Sequence, residues 1–479
     1  MKSQCALLVL VALFGCRGHK VEERASQTAK MPASEQLISN LKVDEASGLA
    51  VSADGFHVAF VTPVDNMSIV VRDGRESPRY AGVGKGSLIL SGDGSRIAFE
   101  VVSGFHAQVF VDGEVQGPYR NIAPGSLLFS QDGRRYAYVA VDEGDHWDVV
   151  VDGKIKGPYQ GVGQGSLMFS PDGQHYAFIA QNTSGSWGVF LDGETINGAD
   201  SALPEDALNI PASLTFSPDG HHLAWVSKIG EQWAVVVDGK VSWRYQDIGQ
   251  GQPVFSPDSK HIAFITLTSG TQAVAIDGKL GNVFRGITDP GPVFSPDGAH
   301  LAYIAATDYS SRRSVDLDGK ITQSYEGIRE DGGFLFSPDS KHLALMSQSG
   351  GKNVAVVDGK PGDPYTNAIG LAFSPDSLHF AYSAQIGDKW TVVVDGKTGA
   401  TFDAVADITF SPDSRRVSYF AKENGKMFLV ADGKEGRRYD RILKGSKIVF
   451  DSANTLHFLA FDGNEASGTL AIYLVRVTL

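Results

Sequence analysis

The sequence predicts an all-β fold made of about eleven repeated units of roughly 40 residues each. A turn motif, Ser-Pro-Asp-Gly or a close variant, recurs with its aspartate at positions 54, 93, 132, 172, 219, 258, 297, 339, 376 and 413. A second motif, an apolar run followed by Asp-Gly, has its aspartate at 73, 112, 152, 192, 238, 277, 318, 358, 395 and 432. A degenerate eleventh copy begins near Ile448. Two markers that stay in phase over ten cycles indicate a tandem repeat.

Each repeat offers four short strands, which we call a, b, c and d in chain order. In the fourth repeat, strand a is predicted at Ser166–Phe169, and the turn at Ser170–Gly173 leads into strand b. Strand c is the apolar run before Asp192, and strand d follows the Asp-Gly pair. Asp-Gly between two strands predicts a tight hairpin, because a type I′ turn needs positive φ at both central positions. Four antiparallel strands per repeat are typical of β-propeller blades, so we predict a β-propeller.

The repeat pattern is compatible with one ring or two, because propellers usually have 4–8 blades and eleven repeats exceed that range. The longest spacing lies between Asp172 and Asp219, with the extra residues at 193–212. The sequence slightly favours two propellers divided there over one large ring. The last copy ends after its third strand, and residues 36–41 can supply the missing outer strand, which closes the array end to end.

The turn motif followed by a basic residue, an apolar residue and alanine, as in SPDGHHLA at 217–224, resembles the repeat of TolB-like propellers. These are relatives of the WD-repeat propellers, and the resemblance covers roughly residues 41–479. The Trp-Asp pair that ends strand c in true WD repeats is absent. The resemblance implies the propeller fold, which hosts many functions.

The N-terminus predicts a secreted, lipid-anchored protein. Lys2 is followed by an apolar run from Ala6 to Phe14 that is too short to span a bilayer as a helix. Leu13-Phe14-Gly15-Cys16 resembles the lipobox of bacterial lipoproteins, which implies removal of residues 1–15 and acylation of Cys16. Residues 16–35 are predicted to be the lipidated cysteine and a flexible tether, and residues 36–479 the repeat array.

Two residues near the predicted cleavage site bear on the type of signal and on the membrane that it implies. Phe14 is larger than the residue usually found in a lipobox, and the alternative is an ordinary cleaved signal with a chance cysteine. Arg17 stands where an aspartate often retains lipoproteins at the inner membrane, so the resemblance implies an outer membrane, facing the periplasm.

Composition and motifs argue against several functions. The net charge is −13 and no long basic run occurs, so a nucleic-acid partner is not expected. Cys5 and Cys16 are the only cysteines, so the array has neither a disulfide nor a cysteine metal site. The sequence contains no serine elbow, no H-E-x-x-H motif and no EF-hand pattern, so we expect no enzyme activity, no cofactor and no metal.

Three repeated features suggest sites at first sight. A histidine or an arginine stands three positions after each turn aspartate: His57, Arg96, Arg135, His175, His222, His261, His300, His342, His379 and Arg416. Such a ring of imidazoles can bind metal or sense pH, but arginine substitutes in three repeats and binds no metal. We therefore interpret these residues as partners of the turn aspartates. GVGQGS at 161–166 looks like a phosphate loop, yet no predicted helix follows it, so we interpret it as a linker between blades.

Aromatic residues also recur, seven positions after the second aspartate, and the regularity predicts packing between blades. Trp147, Trp187, Trp233 and Trp390 occur in some repeats only, and they are the candidate contacts for a small ligand or a glycan.

The leading hypothesis is a non-enzymatic platform that binds envelope proteins through loops that differ between blades. The candidate loops are 142–147, 193–212 and 307–313. The alternatives are a propeller that binds a small molecule or glycan and, less favoured, an enzyme with a site assembled across blades.

Overall fold

A computed structural model describes residues 31–42, 47–196, 214–249, 252–308, 310, 312–329, 334–464 and 469–479. These residues contain strands and turns but no α-helix. The strands form eleven antiparallel sheets, each with four strands in the order a-b-c-d. The sheets are the blades of a propeller, numbered here from the first complete repeat.

The strand bounds show how regular the repeat is. In several blades strand a is divided into two short pieces, and both pieces are given below, joined by "with". Blades 1 to 4 are Ser47–Val51, Val58–Val64, Met67–Arg72 and Arg75–Glu76; Gly82–Val83 with Ile89–Leu90, Ile97–Ser103, His106–Val111 and Glu114–Tyr119; Asn121–Ile122 with Leu128–Phe129, Tyr136–Val141, Trp147–Val151 and Lys154–Tyr159; and Gly161–Val162 with Met168–Phe169, Tyr176–Gln181, Trp187–Leu191 and Glu194–Thr195. Blades 5 to 8 are Thr215–Phe216, Leu223–Ile229, Gln232–Val237 and Lys240–Tyr245; Asp247–Ile248 with Val254–Phe255, Ile262–Thr268, Thr271–Ile276 and Lys279–Phe284; Gly286–Ile287 with Val293–Phe294, Leu301–Ala306, Arg313–Leu317 and Lys320–Tyr325; and Gly327–Ile328 with Phe334–Phe336, Leu343–Ser349, Lys352–Val357 and Lys360–Tyr365. Blades 9 to 11 are Asn367–Phe373, Phe380–Ile386, Lys389–Val394 and Lys397–Phe402; Ala404–Phe410, Val417–Glu423, Lys426–Ala431 and Lys434–Glu435; and Arg441–Ile442 with Val449–Ser452, Thr455–Asn464, Thr469–Thr478 and Ala33–Lys42.

Strands b and c form the core because they are apolar on both faces. In blade 4, Ala177, Phe178, Ile179 and Ala180 are all fully buried. Such runs fit strands that are covered on both sides, and each blade here is covered by the blade before it and the blade after it.

The eleven blades form one ring, and the preference for two propellers was wrong. Eleven hydrophobic clusters each join two consecutive blades, so every blade face is covered by its neighbour in the chain. Ile179 of blade 4 packs in one cluster with Trp225 of blade 5, across the proposed division. Leu459 of blade 11 packs with Phe60 of blade 1. In a four-plus-seven division, blade 4 would instead have to cover blade 1.

The N-terminal strand closes the ring, as the sequence predicted for residues 36–41. Ala33–Lys42 is strand d of blade 11 and pairs antiparallel with Thr469–Thr478, with Ala33 opposite Val477. The strand begins at Ala33, ahead of Gln36, where the sequence analysis placed the start of the array. The outer strand of the last blade therefore comes from the opposite end of the chain.

Candidate functional site

The up-and-down order of the strands gives the ring two different faces. The turns between strands a and b and between c and d lie on one face, which we call the turn face. The hairpins between b and c and the connections from d to the next blade lie on the other, which we call the hairpin face. The repeated motifs occupy the turn face, and the loops that differ between blades lie on the hairpin face.

The Ser-Pro-Asp-Gly turn is held by its own serine and aspartate. In blade 4, the Ser170 hydroxyl donates to Asp172 Oδ1 at 2.5 Å and accepts the backbone N–H of His175 at 2.9 Å. Asp172 Oδ1 also accepts the backbone N–H of Gln174 at 3.0 Å. Gly173 takes φ of +72°, which glycine adopts without strain. The serine and aspartate that recur in this turn thus form their hydrogen bonds within the turn itself.

Serine replaces the last glycine in four turns and takes on a second function there. Ser340 has φ of +65°, and its hydroxyl accepts the backbone N–H of Asp297, in the preceding blade, at 3.0 Å. The same bond joins Asp219 to Ser259, Asp339 to Ser377 and Asp376 to Ser414. A hydrogen bond between blades thus compensates for the strained backbone, which explains why the turn does not require glycine.

Hydrogen bonds keep the turn carboxyls ionised. The bond from the Ser91 hydroxyl, at 2.6 Å, is the main cause that lowers the pKa of Asp93 to about 2. The Ser337 hydroxyl does the same for Asp339, whose pKa is lowered to about 2. The pKa is lowered for the same main reason at Asp132, Asp172, Asp219, Asp258, Asp297, Asp376 and Asp413.

These shifts predict how the stability of the ring depends on pH. An unfolded aspartate titrates near pH 3.9, and the folded pKa of Asp93 and Asp339 lies lower, at about 2. Their stabilising contribution is therefore complete above about pH 4 and is lost as the pH falls towards about 2. We expect the melting temperature, followed by circular dichroism, to fall steeply below about pH 4. The double variant Ser91→Ala/Ser337→Ala is expected to lose less stability over this interval than the parent. An unchanged slope would contradict the assignment.

The repeated histidines and arginines pair with the second aspartate of their repeat rather than with the turn aspartate. The Nδ1 atom of each histidine lies 2.7–2.8 Å from a carboxylate Oδ2. The pairs are His57–Asp73, His175–Asp192, His222–Asp238, His261–Asp277, His300–Asp318, His342–Asp358 and His379–Asp395. Arg96–Asp112, Arg135–Asp152 and Arg416–Asp432 occupy the same place at 2.6–2.9 Å.

These pairs join the two repeated motifs of each blade, and the arginines also bond to the next blade. Asp238 Oδ1 accepts the backbone N–H of Leu223, next to His222, at 2.9 Å. Arg96 also donates from its guanidinium to the backbone oxygen of Arg134, in the turn of the next blade, at 2.6 Å. Among the described residues, no group of three or more His, Cys, Asp or Glu side chains is placed to hold a metal ion. The repeated histidines and arginines thus have a structural use in every blade from 1 to 10.

The glycine-rich segment at 161–166 is part of a blade. Gly161–Val162 is the first piece of strand a and pairs with strand b, so the segment lies within strand a and not between blades as the sequence suggested. The Ser166 hydroxyl donates to the carbonyl oxygen of Gly163 at 2.7 Å and accepts the backbone N–H of Ile179 at 3.0 Å. Ser87 makes the same two contacts in blade 2. In both blades the serine hydroxyl is thus bonded within the blade, to a glycine carbonyl and to a backbone N–H of strand b.

The recurring aromatic residues pack between blades. Tyr159 of blade 3 packs edge-on against Phe178 of the next blade, blade 4, with ring centroids 5.5 Å apart. Equivalent edge-on pairs join Tyr80 to Phe99, Tyr119 to Tyr138, Tyr245 to Phe264, Phe284 to Tyr303, Tyr365 to Tyr382, Phe402 to Tyr419 and Tyr439 to Phe458. Burial raises the pKa of Tyr159 to about 12, so its hydroxyl stays protonated.

The four candidate tryptophans lie near the hairpin-face end of strand c. Trp147, Trp187 and Trp233 belong to the consecutive blades 3, 4 and 5, whereas Trp390 belongs to blade 9. Trp187 is only 9% exposed and packs between blades 4 and 5, while the other three are half-buried. Trp147, Trp233 and Trp390 lie opposite aromatic residues of strand d. A role of these rings in ligand binding stays a prediction.

The hairpin face holds the candidate contact loops. In loop 142–147, Asp142 caps the backbone N–H groups of Gly144 and His146 at 2.8 Å, and Arg120 pairs with Asp145. In loop 307–313, Arg312 extends along strand d of its own blade. Loop 193–212 is described only to Ile196, and Cys16 lies outside the described residues with the rest of the predicted signal and tether. No described helix is long and apolar enough to cross a membrane.

Comparisons with known proteins add little to the topology. No protein-family model and no curated protein sequence matches the chain. Among solved structures, a "eukaryotic initiation factor" is 13% identical with a TM-score of 0.37, covering 71% of this chain and 97% of that one. The "Dos1 propeller" is 12% identical with a TM-score of 0.31, covering 69% and 95%. TolB from Acinetobacter baumannii is 16% identical with a TM-score of 0.22, covering 57% and 77%. TM-scores this low leave the strand topology as the basis for the fold.

Proposed function

We propose that this protein is a lipid-anchored, non-enzymatic platform that binds other proteins at the bacterial cell envelope, at an outer membrane facing the periplasm. The observation that carries the proposal is the division of labour between the two faces. On the turn face, the repeated carboxylates, histidines and arginines form hydrogen bonds within and between blades. The side chains that vary between blades lie on the hairpin face, where a partner protein can contact them.

The place where the chain enters the ring supports the anchor. The closing strand begins at Ala33 on the turn face, because Ala33 pairs with Val477 at the end of strand c. Residues 17–30 lie between Cys16 and the ring, and a fully extended segment of that length spans about 50 Å at most. An anchor at Cys16 would hold the ring near the membrane and leave the hairpin face free. TolB-like relatedness, which the turn motif suggests, is part of this proposal.

Crosslinking in intact cells tests the platform. The full-length protein is crosslinked, purified from the membrane fraction and compared by quantitative mass spectrometry with a Cys16→Ala variant. We expect one or a few envelope proteins to be enriched with the parent protein and lost with the variant. Recovery of the parent in the cytoplasmic fraction would contradict the location. A lipidated, folded protein without any enriched partner would contradict the function.

A further inference from the structure

A groove with a volume of about 460 Å³ lies between blades 7 and 8, towards the hairpin face. One wall is the outer strand of blade 7, with Gln323, Ser324 and Tyr325, and the other is formed by strands c and d of blade 8. Pro361 and Pro364 give this second wall an exposed apolar surface, whereas Val354 and Val356, which also line it, are buried in the core between the two blades.

Arg312 comes to the groove from the extended loop of blade 7. Its Nε donates to the Ser324 hydroxyl at 3.1 Å, and one terminal nitrogen donates to the Ser324 carbonyl oxygen at 2.9 Å. These two bonds hold the guanidinium against the outer strand, at the edge of the groove. A positioned guanidinium is well suited to bind a carboxylate, since it offers several donors in a fixed plane.

Lys352 supplies a second cation at the start of strand c of blade 8, where its side chain is exposed. The one carboxylate that lines the groove, Glu326, already accepts the backbone N–H of Gly350 at 2.7 Å. Two cations and one carboxylate thus line the groove, so its charged lining is net positive in a chain whose net charge is −13. This local reversal of charge favours an anionic occupant.

The shape of the groove favours an extended chain. The second wall follows strand c from Lys352 to Val356, which corresponds to about 14 Å along a strand. That length matches roughly four extended residues. At the far end, the Gln323 amide donates to the carbonyl oxygen of Gly359 at 3.1 Å and joins the two blades. Exposed serine and glutamine side chains along the groove can bond the backbone of such a segment.

We propose that this groove binds an extended acidic segment of the partner protein, with its carboxylates on Arg312 and Lys352 and its apolar side chains on Pro361 and Pro364. This inference rests on the proposed function and assigns one of its binding surfaces.

Site-specific photocrosslinking in cells tests the assignment. A photoreactive phenylalanine analogue replaces Ser349, which lines the groove at the end of strand b of blade 8. The matched control carries the analogue at Ile386, the last residue of strand b in blade 9. We expect the crosslinked peptide, sequenced by mass spectrometry, to contain at least two acidic residues within about four positions. We expect its yield to fall at least five-fold in Arg312→Gln/Lys352→Gln and to stay unchanged in Lys154→Gln/Lys240→Gln.

The outcomes separate the groove from the platform. A neutral or basic crosslinked peptide, or a yield that does not depend on Arg312 and Lys352, overturns the groove assignment. If full-length crosslinking finds a partner but Ser349 captures no more than Ile386, the platform stands and the groove assignment fails. If neither experiment finds a partner, the proposed function itself fails.

Discussion

A protein that starts at Ser47 is expected to lose most of its stability, because it lacks the strand that closes the ring. Nine residues of Ala33–Lys42 pair with the last strand of the chain. Met31, beside this strand, packs in the cluster between blades 10 and 11. Tyr439, which is 1% exposed, donates to Glu35 at 2.5 Å and would lose its acceptor. At about 1 kcal/mol per net hydrogen bond, the loss amounts to about 5 kcal/mol or more, a large part of typical domain stability.

A circular permutant shows whether stability requires the closing strand itself or its attachment at the N-terminus. The end of the last strand lies beside the start of the closing strand, with the Thr478 N–H donating to the Pro32 carbonyl oxygen at 3.1 Å. Joining Leu479 to Met31 through Asn-Gly imitates the Asp-Gly turns of the other blades, and the new chain runs from Ser47 to Lys42. We expect the permutant to melt within a few degrees of the parent and the truncated protein to melt far below it or to aggregate. Equal stability of the truncated protein would show that closure does not depend on this strand.

The fold could be predicted from the sequence because each repeat contains the residues that its two turns require. The positive φ of the aspartates in the Asp-Gly pairs, such as +50° at Asp238, is what a tight hairpin requires, and the strand order follows from it. The number of rings was mispredicted because it depends on which blade faces meet. Ile179 and Trp225 are buried against each other across blades 4 and 5, and no local pattern states that contact.

The site was harder to predict for the same reason. Both members of the His222–Asp238 pair were identified as repeated residues, yet the histidine was interpreted as a partner of the nearer turn aspartate, which was wrong. The constant phase of the two markers was the signal that could have joined them, because residues fixed 16–18 positions apart across a hairpin are neighbours. The groove combines Arg312 with Lys352 from different blades, and only the packing of blades 7 and 8 brings them to one cavity.

Asp238 provides the sharpest test of the link between the two markers. Asp238→Ala removes the acceptor for the buried Leu223 N–H and the partner of His222, and it places alanine at a φ of +50°. We expect a loss of about 2–4 kcal/mol, mostly from the unsatisfied N–H and the strained backbone, since the ion pair is about half exposed. Asp238→Asn keeps an oxygen acceptor and tolerates positive φ, so it should lose only about 1 kcal/mol. Urea unfolding of the three proteins measures the difference.

Two further variants complete this test. Asp388→Ala changes an exposed aspartate in the hairpin of blade 9 and should stay within about 0.5 kcal/mol of the parent. His222→Arg introduces the residue that blades 2, 3 and 10 carry at this place, so it should keep both the pair with Asp238 and the stability of the parent. A large loss in His222→Arg, or equal losses in Asp238→Ala and Asp238→Asn, would mean that the histidine serves something other than this bond. If instead arginine replaces histidine without loss of stability, the repeated imidazoles act as hydrogen-bond donors to the second aspartates.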